Sequence, residues 1–305
     1  MDTTVSDSTL ARPTSVDAMG KAAGMMFGYL MERGKPFTPR PTDVIISPYG
    51  KCGTTWLQQT FHTLRTRGDT DYDDISRVVP WIETSPGLGL DLDAEQKANP
   101  RGFKSHLAWD EIPKGGKYIV SFRDPRDAAV SFYKFFEGWL FEPGAFTIDE
   151  FVFDFYLARP PEQAYWQHLA SWWEQRDNPD VLLLTFEGMK SDPETSIRQV
   201  AAFCDIPLND ALLAQTLENS SLDFMKANKT KFDDLLMREL SERICRLPAG
   251  SDSAKVREGQ VGSHKQLLSN EARVALDTRW QQDISPRFGF PDYAAFQNEV
   301  QARLT

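Results

Sequence analysis

The 305-residue chain is 41% hydrophobic and 26% charged, an ordinary globular composition with length enough for a sizeable core. Its formal net charge of -10 argues against nucleic-acid binding driven by overall electrostatics, so an anionic ligand would need a local pocket of lysine and arginine. Three widely spaced cysteines, Cys52, Cys204 and Cys245, read as free thiols of a reducing, cytoplasmic compartment, and no apolar run approaches the roughly 20 residues of a membrane span.

Residues 1–15, rich in Ser, Thr and Asp, read as a loose tail ahead of one domain covering 16–305, since no linker or internal repeat interrupts the chain. A helix is predicted from about Val16 to Glu32. Its apolar part, Ala22 to Met31, is short, holds two glycines and ends in Glu32-Arg33, and the chain opens Met1-Asp2 without the basic start of a signal peptide. A short helix packing on the domain is the expectation. The connector KPFTPRP then leads into DVIISPYGKCGTTWLQQTFHTLR, Asp43 to Arg65.

That stretch organises the chain. Its β-branched start fits a buried parallel strand. Gly50, Lys51 and Gly53 follow, and Thr54 and Thr55 open an apolar stripe at helical spacing, Trp56, Leu57, Thr60, Phe61 and Leu64. Strand, glycine loop and helix start form an anion cradle: loop N–H groups, the helix dipole and a lysine all favour phosphate. By itself the pattern also fits ordinary strand-turn-helix packing. It is not the Walker A pattern, which puts lysine directly before Ser/Thr; here Cys52-Gly53 intervene. The string SPYGKCGTTW instead resembles the 5′-phosphosulfate loop, commonly YPKSGTTW, of the cytosolic-type sulfotransferases, which use 3′-phosphoadenosine 5′-phosphosulfate (PAPS). The resemblance implies that Lys51, Cys52, Gly53, Thr54, Thr55 and Trp56 hold the donor.

Further on, GDTDYDDIS reads as a solvated loop, and VVPWIETSPGLGL as a wall over a pocket or a loop folding Trp81 into the core. RGFKSH resembles the family's RFIKTHL; period-two spacing puts Lys104 and His106 on one side of an extended segment. A lone histidine is more often structural, but its neighbours here match those of a catalytic base. KYIVSFRDPRDAAVSFYKFFEG, Lys117 to Gly138, reads strand, turn and Pro-initiated helix. It meets every position of the family's R-[ND]-P-[KR]-D-x-x-V-S-x-Y, in which the residues matching Arg123 and Ser131 hold the 3′-phosphate. A guanidinium suits that task through bidentate, charge-assisted hydrogen bonds. Arg126 and Asp127 read as surface residues of a helix start. In the aromatic-dense stretch from Phe135 to Phe155, Phe136 and Trp139, with Trp81 upstream, are candidate acceptor contacts.

AYWQHLASWWEQR reads as helix. VLLLTFEGMKSDP, strand then turn, resembles the family's VLYLFYEDMKEDP, with Phe186 where tyrosine is common near the adenine and reacting end of the donor. Ser191 to Cys204 and Asn209 to Glu218 read as helices. NSSLDFMKANK resembles an adenine-contacting segment; Ser220 and Ser221 are kept, and Leu222 replaces the aromatic. VREGQVGSHKQLL resembles RKGxxGDWK, a loop over the 3′-phosphate: Arg257, Gly259 and Gly262 are present, Glu258 replaces lysine and is expected to face solvent, and Ser263-His264 replace Asp-Trp. The family's dimer motif KxxxTVxxxE does not follow Lys265, so the oligomeric state is left open.

The phosphate loop, the Lys-x-His, the Arg-x7-Ser helix, the VLLLTFEGMK strand and the RxGxxG loop, five segments in family order over roughly residues 40 to 270, imply an α/β fold with a central parallel sheet flanked by helices, the P-loop-kinase-like sulfotransferase fold. They also imply sulfuryl transfer from PAPS to the hydroxyl of a small, apolar or aromatic acceptor. His106 would be the general base, Lys51 would neutralise the leaving phosphate, Lys104 would stabilise the sulfuryl oxygens, and Ser131 would restrain Lys51. No metal is expected, because His62, His106, His168 and His264 show no ligand spacing. Two alternatives stand beside this reading: an ATP/Mg-dependent P-loop kinase, and a non-catalytic nucleotide-binding protein of the same fold.

Overall fold

A computed structural model describes residues 12–31, 37–248 and 255–304. Residues 1–11 of the expected tail and Glu32 of the expected helix lie outside the described residues. Where the description begins, the chain is already docked. Arg12 Nη2 donates to the carbonyl of Glu137 (3.1 Å), and Glu142 N donates to Pro13 O (2.9 Å).

Four strands, β1 Val44–Ile46, β2 Gly102–Lys104, β3 Lys117–Phe122 and β4 Val181–Thr185, form one parallel sheet in the order β2-β1-β3-β4. Val44, Ile45 and Ile46 are all wholly buried, because helices cover both faces and no alternation with polar residues is needed. Ile45, Phe103, Tyr118, Val120 and Phe122 belong to one apolar layer with the helices Val16–Met31, Pro125–Trp139, Tyr165–Trp173 and Tyr293–Ala302. Val44, Ile46, Ile119 and Leu184 belong to the other, with Thr54–Thr66, Pro193–Phe203 and Asp210–Asn219. Where β1 and β2 begin, Asp43 and Arg101 form a buried two-pronged ion pair (2.9 and 2.6 Å). The fork geometry fixes the alignment of the two strands.

The acidic stretch GDTDYDDIS departs from the expected solvated loop. It runs into the helical turn Ile75–Val78, and Asp74 is only 2% exposed. Its carboxylate accepts from Ser76 N (2.7 Å) and from Leu235 N, satisfying the first N–H groups of two helix starts at once.

Candidate active site

Each strand delivers one site segment at its carboxyl end: the 47–53 loop after β1, Lys104 to His106 at β2, Arg123 after β3 and Phe186 after β4. Ligands of open parallel sheets sit there, where the loops diverge. The β1 loop turns sharply, with Lys51 (φ 69°) and Gly53 (φ 103°) both left-handed. At Gly53 a Cβ would also lie 3.2 Å from Ser121 Oγ and 3.3 Å from Phe186, so glycine suits both backbone and space. Ser121 Oγ donates to Cys52 O (2.5 Å) and pins the loop to β3. Cys52, expected at the donor, turns its side chain away from the loop's open face. Its thiol is packed in the core, 3.8 Å from Gly50 O, and its N–H is committed to Tyr49 O (3.1 Å).

A cavity of about 880 Å³ opens over the loop, lined by Lys51, Gly53, Thr54, Thr55, Trp56, Trp81, Lys104, His106, Arg123, Ser131, Phe136, Trp139, Phe186, Ser220, Leu222, Arg257 and Gly259. The sequence placed all of these at one site. Cys52 and Glu258 are not among the lining residues; Glu258 is exposed, where its charge avoids the cations around the cavity.

Lys51 is half-buried, its Nζ 4.2 Å from the ring centre of Phe135. Burial, reinforced by Arg123, Arg257 and Lys104, holds its pKa down at about 7. Lys104, 4% exposed, has its Nζ 3.1 Å from Asp234 Oδ2 and 4.1 Å from the ring centre of Trp81. Burial lowers its pKa to about 8, opposed by Asp74 and Glu83. Lys255 shares the same Asp234 carboxylate and is held well below the usual lysine range by burial and by Lys104. Lys104 and Lys255 thus converge on the single Asp234 carboxylate. Sequence reasoning did not nominate Lys255 or Asp234; a lysine two positions before Arg257 was the available signal.

His106 has its Nδ1 2.7 Å from the carbonyl oxygen of Pro48, and its ring meets Trp81 edge-on at 5.1 Å. A carbonyl only accepts, so Nδ1 carries the proton and Nε2 the lone pair. Burial and the Lys104 charge keep the imidazole well below its ordinary pKa, hence neutral. Glu83, missed by the sequence reading, accepts from His106 N (2.8 Å) and lines the same cavity.

Arg123 clamps two loops. Nη1 donates to Lys51 O (3.0 Å), Nη2 to Gln260 O (2.9 Å), and the guanidinium lies 4.3 Å from the ring centre of Phe186. Its Nε and the Thr54 hydroxyl are buried polar groups with no partner among the described residues. Asp127, read from sequence as a surface residue, is fully buried and anchors the glycine loop. It accepts from Gly262 N (2.6 Å), His264 N (3.0 Å), Ser263 Oγ (3.2 Å) and His264 Nδ1 (2.9 Å). Burial pushes its carboxyl up, but these hydrogen bonds outweigh that and bring it to about 2. Ser263-His264 thus hold the loop in place of the family's Asp-Trp. Lys190 Nζ adds a bond to Gly259 O (2.6 Å). Leu222 is 37% exposed and faces Gly259, while the Ser220 hydroxyl turns back to Thr216 O (2.6 Å), an ordinary helix-end bond.

Lys51, Lys104, Lys255, Arg123 and Arg257 line the same cavity, a basic lining that suits an anionic ligand. Residues 41–286 match the sulfotransferase domain family. The chain belongs to that family. It is 31% identical to sulfotransferase 1B1 of Mus musculus over 291 residues, 89% of this chain and 95% of the relative. It is 27% identical to sulfotransferase 1E1 of Bos taurus over 289 residues, 90% and 95% of the two chains. Its fold is similar to that of a retinol dehydratase solved with retinol and PAP (TM-score 0.67, 18% identity, 88% of this chain and 86% of that one). A mouse sulfotransferase, SULT7A1, solved with PAP, is also similar in fold (TM-score 0.65, 21% identity, 92% and 94%). The protein is a PAPS-dependent sulfotransferase with the expected α/β architecture. No helix among the described residues of this sulfotransferase is long and apolar enough to cross a membrane.

Proposed function

We propose that this sulfotransferase moves a sulfuryl group from PAPS to the hydroxyl of a small apolar or aromatic-bearing alcohol, with His106 as general base. The observation that carries the assignment is the fixed tautomer of His106, its Nδ1 on Pro48 O, in a cavity shared with Lys51 and Lys104. PAPS supplies the sulfuryl group and leaves as the 3′,5′-bisphosphate. His106 Nε2 takes the acceptor's hydroxyl proton as the acceptor oxygen bonds to sulfur and the sulfur–phosphate oxygen bond breaks. Lys51, restrained over Phe135, supplies positive charge where the leaving phosphate develops negative charge, and Lys104 faces the sulfuryl oxygens. Arg123, Ser131, Arg257 and Gly259 hold the 3′-phosphate, and Trp56, Phe186, Ser220 and Leu222 the adenine side. Trp81, Phe136 and Trp139 form the acceptor wall. The three cysteines are free and buried, which supports a reducing, cytoplasmic setting.

The test is a calorimetric titration with 3′,5′-adenosine bisphosphate beside ATP with magnesium, followed by turnover with PAPS and a panel of alcohols. Tight binding of the bisphosphate and PAPS-dependent product are expected. Preference for ATP would overturn the donor assignment.

A further inference from the structure

The helix Val16–Met31 carries glycine at 20, 24 and 28. Glycine inside a helix weakens it relative to alanine, so three in sixteen positions call for a reason. Backbone geometry supplies none, since these glycines are not in the left-handed region. Protein packing supplies none either: a Cβ added at Gly20, Gly24 or Gly28 meets nothing within 4 Å. What the three share is spacing and surroundings. Positions four apart fall on one helix face, and eight residues rise about 12 Å. All three line the active-site cavity, as do Trp81, Phe135, Phe136 and Trp139. Phe27 of the same helix meets Trp81 edge-on at 5.9 Å, joining the glycine face to the aromatic wall. A second observation points to a ligand in this region. Thr84, 1% exposed, lines the cavity, and its hydroxyl has no partner among the described residues.

We infer that Gly20, Gly24 and Gly28 form a groove that seats the apolar body of the acceptor, making them specificity-determining residues for an extended alcohol rather than a single-ring phenol. The missing side chains let that body lie against the helix backbone over the whole 12 Å track (about eight residues of rise). The Thr84 hydroxyl is the hydrogen-bond partner for a polar substituent on it. This rests on the sulfotransferase reading of the cavity.

The experiment compares wild type with Gly24→Ala and Gly24→Leu, using a hydroxysteroid, a fifteen-carbon isoprenoid alcohol and a single-ring phenol as acceptors. Binding of 3′,5′-adenosine bisphosphate and Tm are measured alongside. Gly24→Leu is expected to lower kcat/KM for the extended alcohols at least about tenfold more than for the phenol, in the range that misfitted methylenes cost in a pocket. Gly24→Ala should raise Tm by roughly 1–3 °C, because alanine is the better helix former. Greater stability with a narrowed acceptor range separates a groove from a folding defect. Equal losses for all acceptors in Gly24→Leu, or full retention of the extended alcohols, would overturn the groove. So would a wild type that turns over only the phenol, and that result leaves the sulfotransferase assignment intact. A wild type that binds no bisphosphate and transfers to nothing would instead remove the assignment itself.

Discussion

His106 and Pro48, 58 positions apart, meet through a 2.7 Å hydrogen bond from Nδ1 to the carbonyl of the residue that opens the phosphate loop. The contact sets the tautomer of the base and ties β2 to the donor cradle. Substituting His106 by alanine should lower kcat by about 10²–10⁴-fold, the usual contribution of a positioned general base. Affinity for 3′,5′-adenosine bisphosphate should stay within about twofold. His106→Asn keeps a donor at the Nδ1 position for Pro48 O and no base, so it should be equally inactive; recovery of activity in that variant would mark the residue as structural. Because burial and Lys104 keep the imidazole neutral, the acid limb of the pH–rate profile should lie below pH 6.5.

Lys51 gives a pH signature. In the free protein its pKa is about 7, against an ordinary 10.5. The unfolded chain therefore holds a proton that the native state lacks between these values, and stability rises with pH across that window. Bisphosphate binding restores the charge, so affinity should fall as pH climbs above about 7, with proton uptake on binding. Titration in buffers of different ionisation enthalpy measures that uptake. A pH-independent affinity between 6 and 9 would remove Lys51 from the phosphate.

Arg123 is 6% exposed and bridges the carbonyls of Lys51 and Gln260. Its replacement by alanine should weaken bisphosphate binding by roughly 2–5 kcal/mol, the cost of stranding a buried charge partner. Calorimetry of Arg123→Ala against wild type decides it, and an unchanged affinity would refute the 3′-phosphate role.

Asp127 holds the loop that carries Gly259 to His264. Asp127→Ala should destabilise the fold by about 3–5 kcal/mol, read as a shifted denaturant midpoint. Its folded pKa, about 2, lies below its ordinary 3.8. The stability it contributes is therefore present above about pH 4 and lost as pH falls toward 2. Bisphosphate affinity should drop as well, since the loop lies against Arg123. Stability loss with intact affinity would make the anchor purely structural.

The sequence by itself determined the strand, loop and helix units and which residues stand at the carboxyl ends of β1, β2, β3 and β4. Those signals are local: a β-branched run, a glycine turn and an apolar helical stripe occupy about twenty consecutive positions around Lys51, and Arg123 and Ser131 share one strand-helix unit. Period two put Lys104 and His106 on one side, and both line the cavity. Tertiary structure decided the rest. Which way Cys52 turns depends on how the loop is pinned by Ser121, 69 positions away, and no neighbouring residue reports that. The partners of buried charges are likewise set by packing: Asp234 serves Lys104 across 130 positions, and Asp127 holds His264 across 137. Charges spaced that far along the chain look like surface residues until the fold removes their water, and only then must each find an opposite charge or a hydrogen bond.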